Sequence, residues 1–130
     1  MSDKIDVISK EAIFQLVIAF YQKVRADQML GPIFTTIVKD WDEHHALITD
    51  FWAKNLFGAT GYAGNPLTAH QQVDRKMAFQ MRSEHFGQWL VLWFETIDEF
   101  HTGKNADTLK RRARKMSTFL FLKVVEAREP

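Results

Sequence analysis

Apolar residues at helical spacing, with few helix breakers between them, are the feature of this sequence that most restricts its fold. Prolines stand only at positions 32, 66 and 130. Before the first of them, Ser9 is placed to cap a helix that runs to about residue 26. Its apolar positions recur at steps of three and four residues: Ile13, Phe14, Leu16, Val17, Phe20, Tyr21 and Val24. This spacing predicts a long amphipathic helix packed against a core.

Three more long helices follow from the same spacing. Asp40 and Glu43 resemble a capping box at the start of the second, which Gly58 is placed to end. Ser83 and Gly103 are the expected limits of the third, and the fourth covers about residues 106–126. The predicted inward residues of these three helices are Trp41, Ile48, Phe51, Trp52, Leu56, Phe86, Trp89, Leu90, Trp93, Ile97, Phe100, Leu109, Ala113, Met116, Leu120 and Val124. Only the run FLFLKVV, residues 119–125, leaves helix and strand undecided by periodicity. The chain is therefore predicted to be all-α.

Shorter elements lie between the long helices. Pro32, after Leu30 and Gly31, is placed to open a short helical turn. Residues 58–65 form a glycine-rich loop, after which Asn65 can cap a helix with Pro66 at its first position. The segment 71–82 is polar with scattered apolar residues, and its pattern predicts no definite element.

Composition excludes several classes of protein. A chain of 130 residues suits a single domain over 1–130, with residues 1–8 and 127–130 expected to be flexible. It has no cysteine, which excludes disulfides and thiolate metal sites. A net charge of +1 argues against a nucleic-acid partner. Neither a signal peptide nor an apolar run of about 18 residues is present, so a cytoplasmic protein without membrane contact is expected.

The five histidines do not form a recognisable multi-histidine metal site. They stand at positions 44, 45, 70, 85 and 101, with no pair at i, i+4 and no repeated Glu-x-x-His. Haem needs only one protein imidazole, because the porphyrin supplies four nitrogens. His70 is the best candidate, since its Nδ1–H can donate to the carbonyl of Pro66 or Leu67 and leave Nε2 free. A solvated histidine beside a loop is the alternative.

Other polar groups have both a functional and a structural interpretation. His44 and His45 both flank the apolar face of the second long helix, and helical geometry alone does not choose between them. The hydroxyl of Tyr21 either serves a site or bonds a backbone carbonyl. Trp89 either donates its N–H to a ligand or packs in the core. The basic run 110–115 is interpreted as a solvated helix face rather than a surface for nucleic acid or protein.

Four segments resemble the truncated haemoglobins, specifically group III. They are FYQKVRADQMLGPIF (20–34), DWDEHHALITDFW (40–52), YAGNPLTAH (62–70) and HFGQWLVLWFETI (85–97). Their order and spacing agree over about residues 10–100. Two absences favour group III over the other groups: there is no Gly-Gly pair, and no Pro-Phe follows His70. The resemblance implies a shortened globin fold, with helices packed two over two.

The resemblance also implies roles for individual residues. His70 is expected to be the proximal iron ligand of haem b, iron protoporphyrin IX. Tyr21, Trp89 and His44 are expected on the distal side, His44 being chosen over His45 for its spacing from Trp41. The expected haem-lining residues are Phe20, Phe34, Trp52, Leu56, Tyr62 and Phe86. No motif fixes the propionate partners, for which Lys54 and Arg75 are candidates.

The function implied is the binding of O2, NO or peroxide at a five-coordinate iron by a monomer. Redox chemistry or detoxification is expected rather than transport, as an NO dioxygenase or with peroxidase-like activity. So short a chain has no room for a flavin or nicotinamide domain, and a separate reductase is expected. The alternatives are a non-enzymatic O2 or NO storage or sensing protein, and a haem-free interaction module that uses the basic run.

Overall fold

Six helices make up most of the described chain. The computed structural model of the protein describes residues 4–59, 62, 64–77 and 81–128. The helices are α1 Lys10–Ala26, α2 Gly31–Ile37, α3 Trp41–Phe57, α4 Pro66–Lys76, α5 Ser83–Phe100 and α6 Lys104–Glu126. The run 119–125 belongs to α6, and the all-α prediction is confirmed. Within the described ranges, none of the helices is long and apolar enough to cross a membrane.

Most helix ends lie where the capping residues predict them. The side chains of Ser9, Asp40 and Asn65 each accept the backbone N–H three residues later, at 3.1 Å. These bonds satisfy N–H groups that lack a partner inside the helix. Gly58 ends α3 in the left-handed conformation with φ 73°, as expected of a glycine at this position. Of the predicted loop 58–65, residues 60, 61 and 63 lie outside the described part.

The start of α5 differs from the prediction. Ser83 is the first residue of this helix rather than its cap, and Arg82 holds the cap position. The backbone N–H of Arg82 donates to Nδ1 of His85 at 2.8 Å. An imidazole three residues into the helix thus takes the part that glutamate or glutamine plays in a capping box.

Gly103 begins a helix rather than ending one. Helix α5 ends at Phe100. This residue is predicted to point inward, but its side chain is 49% exposed. Gly103 has φ 138°, and a Cβ there would lie 2.6 Å from Cγ of Asp6. That carboxylate accepts the N–H groups of Asn105 at 2.8 Å and Ala106 at 2.9 Å, so it caps α6 from a distant part of the chain. The flexibility expected for residues 1–8 stays a prediction, and residues 1–3 lie outside the described part of the chain.

The long helices pack as two pairs. Helix α1 packs against α3 and α5 against α6, while α1–α5 and α3–α6 contacts join the pairs. This confirms the two-over-two arrangement. The interior contains almost fully buried side chains from all four helices: Ile13, Leu16, Val17, Phe20, Trp52, Trp93, Ile97, Leu109 and Val124. Helix α2 packs against α1, and α4 packs mainly against α6.

The basic run of α6 is engaged with the protein's own surface. Lys110 forms an ion pair with Asp98 at 2.7 Å. Arg112 donates to Oδ1 of Asn55 at 3.0 Å, which links α6 to the end of α3. Because these cations already have partners in the fold, the interpretation as a solvated helix face is favoured over a nucleic-acid surface.

Gly31 is expected to be essential for the contact between α1 and α2. A Cβ at this position would lie 2.6 Å from the carbonyl oxygen of Arg25, a backbone atom that has little room to move. We expect Gly31→Ala to lower the free energy of unfolding by about 1–3 kcal/mol in urea titrations. Gly87→Ala is the matched control, since a Cβ there meets nothing within 4 Å. That variant should keep or gain stability. Equal losses in the two variants would contradict the steric argument.

Candidate functional site

A cavity of about 510 Å³ lies among the six helices, with Tyr21 as the lining residue of α1. Its volume falls within the range of roughly 300–1,000 Å³ that is typical of cofactor and small-molecule sites. Aliphatic and aromatic side chains form most of its wall, among them Ile33, Phe34, Ile48, Phe51, Val73 and Leu120. Polar side chains also line it, and the histidines, Tyr21 and Trp89 among them are the candidates for a specific role.

His70 lines this cavity with one ring nitrogen already engaged. Asn65 caps α4 and Pro66 occupies its first position, which places His70 in the second turn. Nδ1 of His70 lies 2.6 Å from the carbonyl oxygen of Pro66, so the Nδ1–H donates as the sequence predicts. The ring of Phe86 stacks at 5.9 Å and 28°. Burial lowers the pKa of His70, and the bond to Pro66 opposes this only in part. The imidazole is thus held neutral with Nε2 available as a ligand.

Tyr21 brings a buried hydroxyl to the same cavity. The side chain is 3% exposed, and its ring lies 4.9 Å from the ring of His44. Within the part of the chain that the structure describes, no group forms a hydrogen bond with this hydroxyl. The alternative of a bond to a backbone carbonyl is therefore not supported. Burial raises the pKa of Tyr21 above its ordinary value, so the phenol keeps its proton and remains a donor at neutral pH.

The two adjacent histidines are separated by their position relative to the cavity. His44 lines it, whereas His45 packs beside the rings of Tyr21 and Trp41, at 5.6 and 5.8 Å. Both Nε2 atoms are buried without a hydrogen-bond partner among the described residues. Burial, followed by the neighbouring His45, lowers the pKa of His44 to about 4. His44 is therefore neutral at pH 7 and lines the cavity, while its buried Nε2 stays without a hydrogen-bond partner.

Trp89 is the third polar group expected on the distal side. Its half-buried indole lines the cavity, edge-on to Phe20 at 5.4 Å and stacked on Trp93 at 6.2 Å. Among the described residues its N–H has no acceptor. An indole N–H can only donate, so a ligand in the cavity is the natural acceptor for it.

Four of the six predicted lining residues reach the cavity. They are Phe34, Trp52, Tyr62 and Phe86. Phe20 does not: it is 1% exposed and packs behind Tyr21 and Trp89, because successive helical residues point about 100° apart. Leu56 does not line it either, but packs against the main core. Contact of Phe20 and Leu56 with haem therefore stays a prediction.

The cations at the cavity are not the ones expected. Lys39 and Lys76 line it, whereas Lys54 and Arg75 do not. Helical geometry accounts for the difference on α4, because Lys76 lies three residues after the lining residue Val73 and shares its face. Arg75 lies one residue earlier and is exposed.

Sequence reasoning missed His85 and the pair formed by Asp74 and Arg128. His85 is 8% exposed and lines the cavity, while its Nδ1 caps α5. A polar residue at the third position of a predicted helix is a detectable capping signal. Asp74, only 2% exposed, forms a two-bond ion pair with Arg128 at 2.7 and 2.8 Å. No local pattern links residues 54 positions apart.

The buried imidazoles predict a loss of stability in mild acid. Burial lowers the pKa of four histidines: His44, His45, His70 and His85. In the unfolded chain these histidines are protonated below about pH 6.5, whereas His44 in the folded chain is protonated only near pH 4. The stability is thus complete above pH 6.5 and is lost as the pH falls towards 4. We expect His44 to account for about 2 kcal/mol of this loss, allowing for solvent near its ring.

Urea unfolding of the haem-free chain at pH 7 and pH 5 measures this loss. His44→Gln keeps a polar side chain but does not titrate, so it should flatten the pH dependence. An equally steep dependence in that variant would contradict the assignment.

The sequence and the fold agree with those of a known family of proteins. No family model matches the chain. The group 3 truncated hemoglobin ctb of Campylobacter jejuni is 33% identical over 119 residues, which cover 88% of this chain and 90% of that protein. A crystal structure of the group III truncated hemoglobin from Campylobacter jejuni superposes with a TM-score of 0.81 at 32% identity, covering 90% of this chain and 91% of the other. Identity at this level over nearly the whole length shows that the chain belongs to the group III truncated haemoglobins.

Proposed function

We propose that this chain binds haem b through His70 and uses Tyr21, Trp89 and His44 to act on O2, NO or peroxide. Membership of a haemoglobin family implies haem and small gaseous ligands. The observation that supports the finer proposal is the meeting, in one cavity, of a free imidazole nitrogen with unpaired hydrogen-bond donors. We further propose that the protein acts as a monomer and receives electrons from a separate reductase.

The residues around the cavity fit this cofactor. Haem b would bring four nitrogen ligands of its own, so the chain would have to supply one imidazole to hold it, and the bound haem would supply the binding of a small ligand. His70 can supply that imidazole, because its Nδ1–H is hydrogen-bonded to the carbonyl oxygen of Pro66 and its Nε2 is free. Apolar side chains offer surface to a flat macrocycle, while Lys39 and Lys76 offer positive charge to its carboxylates. The unpaired Nε2 of His44 is a further polar atom that the protein alone leaves unsatisfied.

The distal groups support redox chemistry as the function in preference to simple transport of O2. Tyr21 and Trp89 are donors without acceptors in the described structure, so both are free to bond a ligand that carries negative charge. Neutral His44 presents one ring nitrogen as an acceptor and the other as a donor. In a water-poor cavity each bond to a charged group is worth about 1.5–3 kcal/mol. Such donors would retain O2, which argues against transport, and would polarise an O–O bond, which favours redox chemistry.

Turnover with NO tests the proposed activity. We expect the oxygenated holoprotein, supplied with an external reductase, to consume many equivalents of NO. Replacing Trp89 or Tyr21 by Phe should reduce the rate at least tenfold, since each removes one charge-directed hydrogen bond. An NO-consumption rate equal to that of free haemin would contradict an enzymatic role.

Storage or sensing is the alternative function. Its basis is the same set of donors, which retain O2 whether or not a reaction follows. A single equivalent of NO consumed in the presence of a working reductase would favour this alternative. The number of turnovers, rather than affinity, therefore separates the two functions.

A further inference from the structure

Helix α4, which carries His70, is attached to the rest of the protein in an unusual way. Its only fully buried side chain is a carboxylate, Asp74, at 2% exposure. Leu67, Val73 and Met77 are only partly buried against the small cluster at the end of α6. A helix of 11 residues with so little apolar anchoring depends on its polar contacts for a fixed position.

Arg128 provides those contacts. Its Nε donates to Oδ2 of Asp74 at 2.8 Å, and its Nη2 donates to Oδ1 at 2.7 Å. The backbone N–H of Met81 donates to Oδ1 of Asp74 at 3.0 Å, and Arg128 also donates to the carbonyl of Met81. Two parallel bonds between a guanidinium and a carboxylate fix direction as well as distance. The network thus joins α4, the residue before the cap of α5, and the chain just after α6.

The ion pair of this network lies outside the cavity, but it adjoins residues that line the cavity. Neither Asp74 nor Arg128 is part of the cavity wall, whereas Met81 and Val73 are. Asp74 stands one turn after His70 on the same helix, and residues at i and i+4 share a face. Any rotation or sliding of α4 that moved the Asp74 carboxylate would therefore also move Nε2 of His70.

We propose that Arg128 is a positioning residue for the iron ligand: through Asp74 it fixes the orientation of α4 and hence of His70. The inference rests on the proposed binding of haem by His70. Arg128 belongs to the last turn of the described chain, beyond the segments that carry the resemblance to the family. Its role follows from the contacts of this structure alone.

Arg128→Gln and Arg128→Lys in the holoprotein test this role. Lys123→Gln is the matched control, because Lys123 is another cation near the end of α6 whose ion pair, with Glu126 at 3.2 Å, lies at the surface. Two quantities are measured: the rate of haem transfer to an excess of a competing apoglobin, and the iron–histidine stretching band of the ferrous form. We expect Arg128→Gln to lose haem about tenfold faster. Its band should shift or broaden, with Arg128→Lys intermediate and Lys123→Gln like the wild type.

An iron–histidine band that keeps both its position and its width in Arg128→Gln would overturn the proposal, even with faster haem loss, because general destabilisation would then suffice. Should that variant not fold, an unshifted band in Arg128→Lys has the same meaning. A wild-type chain that binds haem without any histidine band would instead overturn the proposed function. The two failures are therefore distinguishable.

Discussion

Replacing Tyr21 by phenylalanine is expected to raise the O2 dissociation rate about ten- to a hundredfold. The phenol is buried, keeps its proton at neutral pH, and has no hydrogen-bond partner among the described residues. Its loss removes a bond worth about 1.5–3 kcal/mol, and each 1.4 kcal/mol corresponds to a factor of ten. The ring itself is kept, so its contact with His44 at 4.9 Å and the packing around it should persist. Stopped-flow displacement of O2 measures the rate.

Carbon monoxide is the matched control for this experiment. It carries little charge when bound, so the loss of a donor should change its dissociation rate far less than that of O2. An unchanged O2 rate in Tyr21→Phe would contradict the role of the hydroxyl. Equal changes for the two ligands would point to a general change in the cavity instead.

His70→Ala is expected to weaken haem binding more than a hundredfold. Loss of a group that merely orients a metal ligand costs about 10–100-fold in affinity, and the ligand itself should cost more. The variant leaves a gap beside Phe86, whose ring stacks on His70 at 5.9 Å. Imidazole added to the solution should enter this gap and restore the spectrum of the bound haem.

His45→Ala is the appropriate control for His70→Ala. His45 is also a partly buried histidine but does not line the cavity. The His45→Ala variant should bind haem with an affinity close to that of the wild type. Equal losses in the two variants, or no rescue by imidazole, would contradict the assignment of the ligand.

Local sequence signals predicted most of the fold. Ser9, Asp40 and Asn65 are caps because their side-chain oxygens satisfy N–H groups three residues later, a relation that the sequence alone reveals. The bond from His70 to Pro66 is equally local, as it spans one helical turn. The roles predicted for Ser83 and Gly103 are wrong because other residues form the helix starts. At the start of α5 the ring of His85 accepts the N–H of Arg82, an uncommon capping bond, and at the start of α6 the capping carboxylate comes from the distant Asp6.

The composition of the cavity wall was less predictable. Phe20 lies on the inward face of α1, but inward positions divide between the core and the cavity according to how neighbouring helices cross. No periodic pattern contains that information. The same holds for Lys39 and Lys76, which replace the expected cations. Asp74 and Arg128 meet only because α4 packs on the end of α6.

The absorption spectrum of the purified wild-type chain during titration with haemin tests the central claim most directly. The account predicts a Soret band that grows until one haem is bound per chain and then stops. It also predicts a five-coordinate ferrous spectrum after reduction. A spectrum that stays that of free haemin throughout the titration would contradict the assignment of His70 and of the cavity it lines.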